Sequence, residues 1–164
     1  MSKTYPPWDR FYQKLNMIFN GIVASSLIPF AIIFLQYQKE PQAPLIQESL
    51  VLIVKVVLII LCLGDLLLAN WLRPKFIEPV KQETTIEKKL QVYLSQKIKQ
   101  YALIEGAAMI SLLGFYLLQD QFFSFMYVGV LIVFSMHRPT FARVSKEIEV
   151  SEDALIDWSQ NQDN

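Results

Sequence analysis

Leu50 to Trp71 reads LVLIVKVVLIILCLGDLLLANW, an apolar run broken only by Lys55, Asp65 and Asn70. A helix rises about 1.5 Å per residue and the hydrocarbon core of a bilayer is about 30 Å thick, so a run of this length matches one membrane crossing. Three further runs flank it. Residues 15–37 are apolar apart from Asn16, Asn20, two serines and Gln36; residues 101–118 carry one charge, Glu105; and residues 122–137 are dense in Phe, Val, Ile and Leu. Only Gln119-Asp120-Gln121 separates the last two, a spacing that suits an antiparallel hairpin turning at a membrane surface. The expected fold is all-α: an integral membrane four-helix bundle of two transmembrane hairpins, forming a single membrane domain over residues 1–164.

Composition points the same way. Of 164 residues, 53% are apolar and only 18% charged, a balance that points away from a soluble globule. The 15 basic and 15 acidic residues cancel, and no Lys/Arg run is interleaved with aromatics, so nucleic acid is not an expected partner. The lone Cys62 lies inside an apolar run, which leaves no disulfide framework and no thiolate cluster for a metal; it reads as a small packing residue. Leu15 to Val23 followed by Ala24 and Ser25 has the outline of a signal peptide, but the run continues through Ile32, Ile33, Phe34 and Leu35 and is read as a retained helix.

Charge sets the orientation. Lys3, Arg10 and Lys14 precede the first run, seven Lys/Arg lie between Arg73 and Lys99, and Arg138, Arg143 and Lys146 follow the fourth, whereas only Lys39 falls in the other two loops. By the positive-inside rule both termini and the central loop are cytoplasmic, which for a bacterial chain means the inner membrane. Each hairpin leaves the bilayer through the same pattern, Arg73-Pro74-Lys75-Phe76 and Arg138-Pro139-Thr140-Phe141. Arg snorkels to phosphates, Pro stops the span or opens the next helix, and Phe returns to the interface. With weaker matches between the first and third helices, this repeat suggests an internal duplication.

Residues 80–100 carry Ile86, Leu90 and Tyr93 at helical spacing, continued by Tyr101, with Lys and Glu between them, an amphipathic cytoplasmic segment. It either lies on the inner surface or runs straight into the third span, since no Gly or Pro marks a joint. Short cytoplasmic helices are expected over 140–158, with Ser151 capping the last one.

Ionisable groups inside a membrane are the default functional candidates, because a charge there costs several kcal/mol unless paired or neutralised. Asp65 lies about 9 Å in from Trp71 and Glu105 about 6 Å in from Tyr101, with Asn20 at a similar depth. These three are the candidate polar layer or ion site, in which two carboxylates would share a proton or cation. The plainer reading is that each carboxylate reaches Lys99, Arg138 or His137, or stays protonated, and fixes helix packing. Lys55 either snorkels or meets Glu48 or Asp120. Gly21 and Ser25, and Gly106, Ser111 and Gly114, form small-residue faces that let helices approach, within the bundle or between copies. Pro29 marks a kink whose freed carbonyl Ser25 or Ser26 would satisfy. No Gly-rich phosphate loop, nucleophile elbow or His pair is present, so catalytic residues, cofactors and metal ligands are not expected.

Arg138-Pro139-Thr140 before a short charged helix, with Glu105-Gly106-Ala107-Ala108 early in the third span, resembles a group of small uncharacterised four-helix bacterial membrane proteins. The doubled hairpin with a carboxylate on a small-residue helix also looks like the double-hairpin proteolipids of rotary ATPases, whose rings carry protons or sodium. That likeness implies Glu105 and Asp65 as ion ligands with Asn20 assisting. Two main expectations follow: a structural or accessory membrane subunit that contacts copies of itself or partner subunits, or a proton- or cation-handling protein. An intramembrane enzyme ranks third.

Overall fold

The computed structural model describes residues 7–39 and 43–161; Lys3 of the first basic cluster lies outside them. Every regular element among the described residues is a helix: α1 Pro7–Lys39, α2 Glu48–Trp71, α3 Arg73–Gln82, α4 Ile86–Leu118, α5 Gln121–Met136, α6 Phe141–Ile148 and α7 Glu152–Asn161. Three stretches, in α1, in α2 continued by α3, and in α4, are long and apolar enough to cross a membrane, and a fourth results if α5 and α6 count as one broken span.

All four apolar runs lie in helices, with shifted limits. α1 starts well before residue 15, with Asp9 in its first turn, where a negative charge complements the helix dipole. α5 ends at Met136, and His137 closes it by giving its backbone N–H to Phe134 O at 2.9 Å. The segment expected over 80–100 is divided: residues 80–82 finish α3, and α4 begins at Ile86 and runs unbroken to Leu118. The division has a local cause. Pro79 removes a donor late in α3, and Thr85, whose carbonyl accepts Lys89 N–H at 3.0 Å, precedes a first turn carrying Glu87, a helix-start pattern. Of the two courses open to this segment, the continuous one is taken.

Where the sequence suggests one membrane domain, the described residues form two compact units. A polar unit comprises residues 7–20, Leu72–Gln100 and 138–161, and an apolar unit comprises Gly21–Trp71 and Tyr101–His137.

In the apolar unit the α4–α5 turn is built by two residues. Gln119 takes a left-handed conformation (φ 50°) and returns its N–H to Phe115 O at 3.0 Å, ending α4. Asp120 then caps α5 by accepting Phe122 N–H at 2.9 Å, and its other oxygen meets Lys55 Nζ at 2.5 Å, tying the turn to α2. Beneath it Leu58, Phe115, Leu118 and Phe123 form a core, and Phe30 stacks on Tyr127 at 4.1 Å. Pro29 lies inside α1, but Ser25 and Ser26 bond back to Ile22 O and Val23 O, one turn earlier than the carbonyl a proline would free. Meanwhile Ile28, Leu52, Ile53, Ile60 and Leu67 are each more than half exposed, an amount of open apolar surface that water does not tolerate well.

The polar unit has its own core: Trp8, Leu15, Ile77, Val80, Leu90, Tyr93, Val144, Ile148 and Leu155 are buried. Trp8 stands edge-on to Phe141 at 4.9 Å and its backbone N–H reaches Ser159 Oγ at 3.3 Å, so the first turn of α1 meets α6 and α7. α7 is capped as expected, Ala154 N–H reaching Ser151 Oγ at 3.2 Å.

The glycines give a direct test of packing. A Cβ on Gly114 would stand 2.4 Å from the Phe123 ring, whereas one on Gly64 would meet nothing within 4 Å. Gly114→Ala should therefore destabilise the protein by about 1–3 kcal/mol, and Gly64→Ala should be neutral or slightly stabilising; thermal unfolding in detergent followed by circular dichroism compares them.

Candidate functional site

Leu90, Tyr93, Lys97 and Gln100 succeed one another at spacings of three and four on α4, and all four are buried. The first two are ordinary for an inward face. Lys97 is not: only 2% of its side chain is exposed, so an ammonium sits where the helical period calls for an apolar residue. The explanation lies on α6. Glu147, 9% exposed, places Oε2 2.8 Å from Lys97 Nζ and 2.7 Å from the Tyr93 hydroxyl, which donates to it. Its Oε1 accepts from Arg73 Nη2 of α3 at 2.9 Å. Lys97 also donates to Gln100 Oε1 at 3.1 Å and lies 5.4 Å from the centre of the Tyr93 ring. Gln100 Nε2 is buried without a hydrogen-bond partner among the described residues.

Electrostatics follow from this geometry. Burial alone would raise the Glu147 carboxyl, but the Lys97 ammonium, Tyr93 and Arg73 together outweigh it and hold the group below its ordinary value. Burial pulls the Lys97 ammonium down from its ordinary value, and Glu147 offsets part of that. Around this hub Lys81 meets Glu149 at 2.5 Å and Lys89 donates to Ile148 O at 3.0 Å. Glu149 (φ 56°) is the left-handed residue that ends α6, so these contacts fasten the C-terminal end of that short helix.

Beside the hub lies a cavity of about 910 Å³ walled by α3 and α6. Arg73, Lys81, Arg143 and Lys146 supply its cations, and Pro74, Ile77 and Ala142 its apolar wall.

The residues singled out from the sequence are distributed as follows. Glu105 is half-buried and accepts from Ser25 Oγ, and Asp65 is half-buried with Oδ2 close against Gly106, where a Cβ would stand 2.8 Å away. Asn20 is exposed and belongs to the polar unit. Gly21 and Ser25 are exposed, and a Cβ on Gly21 would meet nothing within 4 Å. Ser111 is buried, donating to Ala107 O at 2.9 Å and lying 3.3 Å from Cys62 Sγ; Gly114 is buried against Phe123. In the exit patterns, Arg73 binds Glu147, Pro74 stands in the first turn of α3 and lines the cavity, and Phe76 is half-buried. Arg138 accepts at its carbonyl from Arg143 Nη1 at 3.4 Å, Pro139 accepts at its carbonyl from the Tyr12 hydroxyl at 3.3 Å, and Phe141 faces Trp8.

The hub residues Tyr93, Lys97 and Glu147 are the ones sequence reasoning missed. One signal was available: a lysine at the inward position of an otherwise apolar stripe implies a buried counter-charge elsewhere in the chain. No protein-family model, curated relative or solved structure matches this chain.

Removing one partner of a buried ion pair strands the other, so Glu147→Ala should cost about 3–5 kcal/mol. Because the folded Glu147 value lies below the unfolded one, its contribution is present above the unfolded value and lost as pH falls through the folded value. Tryptophan fluorescence, reporting through Trp8 and Trp158, should show the wild-type polar unit loosening on acidification below about pH 4.3, with a flatter acid limb in Glu147→Gln.

Proposed function

We propose that this chain is an integral membrane protein of four spans, arranged as two hairpins with both termini cytoplasmic, which acts as a structural or accessory subunit by associating with itself or with partner subunits. The bacterial inner membrane is the compartment that fits its basic loops. The observation that carries the reading is the contrast among its small residues. Gly106 and Gly114 are filled by Asp65 and Phe123 of the same chain, whereas Gly21 and Gly64 stand open among exposed apolar side chains. In a bilayer, apolar side chains are content against lipid, but an uncovered glycine is where a second helix backbone approaches most closely. Gly21 and Ser25, four residues apart and both exposed, have the spacing of such a contact.

A second reading, proton or cation handling, is favoured by one feature. The Ser25 hydroxyl faces two acceptors, Ile22 O at 2.6 Å and Glu105 Oε1, yet carries a single proton. That sets a carboxyl side chain beside a hydroxyl inside the apolar unit, the kind of polar pair an ion would engage. Glu105→Gln separates the readings: lost ion flux with assembly intact supports the second, and unchanged flux supports the first.

Light scattering of the purified protein in mild detergent, corrected for bound detergent, should return a discrete oligomer or a complex with a second chain. Gly21→Leu should lower that mass by at least one subunit while leaving helical content unchanged. A monomeric wild type that brings no partner from the membrane would overturn the proposal.

A further inference from the structure

We propose that the cavity between α3 and α6 is a binding site for the phosphate of an anionic phospholipid. Its cations are Arg73, Lys81, Arg143 and Lys146, two from each helix. Two nearby carboxylates are already engaged. Glu147 is shared between Arg73 and Lys97, Glu149 is taken by Lys81, and Glu78 completes the wall. Lys146 is an exposed side chain for which the described residues supply no partner. Arg and Lys held in this way form charge-assisted hydrogen bonds to phosphate oxygens.

Size and lining favour a lipid over a free anion. About 910 Å³ is the volume of a pocket for a drug-sized ligand, far more than a bare phosphate fills. Pro74, Ile77, Ala142 and the aliphatic stems of the lysines present the apolar surface that a glycerol backbone and the first methylenes of an acyl chain would cover. Position in the chain agrees. Arg73 follows Trp71, the last residue of α2, by two positions, and Arg143 follows Met136, the last residue of α5, by seven. In the proposed topology both therefore fall at the cytoplasmic headgroup level, where anionic lipid is concentrated and basic pockets beside spans take lipid headgroups. The two Arg-Pro exits then have a shared purpose, each delivering a short basic helix to one wall of one site.

The inference rests on the membrane reading, which alkaline carbonate extraction of membranes tests separately. The test of the site uses the purified full-length protein in mild detergent, titrated with phosphatidylglycerol, phosphatidylcholine or inorganic phosphate. Phosphatidylglycerol at about a hundredfold excess over its Kd should raise the Tm by about 5–10 °C. Lys146→Gln should cut that rise by half or more while leaving the lipid-free Tm unchanged, and Arg143→Gln with Lys146→Gln should remove it. Lys88→Gln, which removes an exposed charge that does not line the cavity, should leave the rise intact. An equal rise with phosphatidylcholine, an equal rise with inorganic phosphate, or a rise that survives Lys146→Gln would each overturn the proposal.

Discussion

A carboxylate withdrawn from water has to find positive charge and donors at short range, or it costs several kcal/mol to keep. Glu147 meets this demand with Lys97, Tyr93 and Arg73, and in doing so fixes the relative positions of α3, α4 and α6. The requirement is mutual, because Lys97 is buried more deeply than Glu147. α6 spans only Phe141–Ile148, too short to persist on its own propensity, so its helical state depends on this anchoring and on the contacts of Lys81 and Lys89 at its end. The cavity inherits its shape from the same constraint. Its α3 wall carries Arg73 and its α6 wall carries Glu147, and the bond between them sets the width of the site.

The apolar unit obeys a different logic. Its interior is made by shape: rings stacked at Phe30 and Tyr127, Phe123 pressed into the gap left by Gly114, Asp65 against Gly106. Polar contacts are few and sit at particular places. Lys55 and Asp120 hold the α4–α5 turn to α2, and Ser26 accepts from the Tyr127 hydroxyl at 3.2 Å. The outward surfaces of α1 and α2 are left apolar, as suits helices long and apolar enough for a membrane.

Legibility in the sequence divides along the same line. The four apolar runs, the tight turn at Gln119 to Gln121 and the Ser151 cap depend on spacing along the chain and are readable from it, whereas the Lys55–Asp120 contact is one of three outcomes the sequence leaves open for Lys55. The break between α3 and α4 is not legible from apolar spacing, because the stripe at Ile86, Leu90 and Tyr93 begins only after it. The hub was missed for a deeper reason. Lys97 and Glu147 are fifty residues apart in chains of mixed charge that resemble solvated helix faces, and only tertiary packing turns them inward. Nor does spacing tell which glycine is covered: Gly21 and Gly114 look alike in sequence, yet one is open and the other is filled.

The polar unit is assembled from the first, the middle and the last portions of the chain, residues 7–20, Leu72–Gln100 and 138–161. Synthesis proceeds from the N-terminus, so this unit cannot close until α6 and α7 have emerged from the ribosome. Until then Lys97 has no Glu147 to receive it, and Trp8 has neither Phe141 nor Ser159. A chain ending between Met136 and Phe141 would still hold α1, α2, α4 and α5 but would leave Lys97 without Glu147. Closure of the polar unit therefore waits on α6, whereas the α4–α5 hairpin, joined by a turn of two residues, can form as soon as its own residues exist.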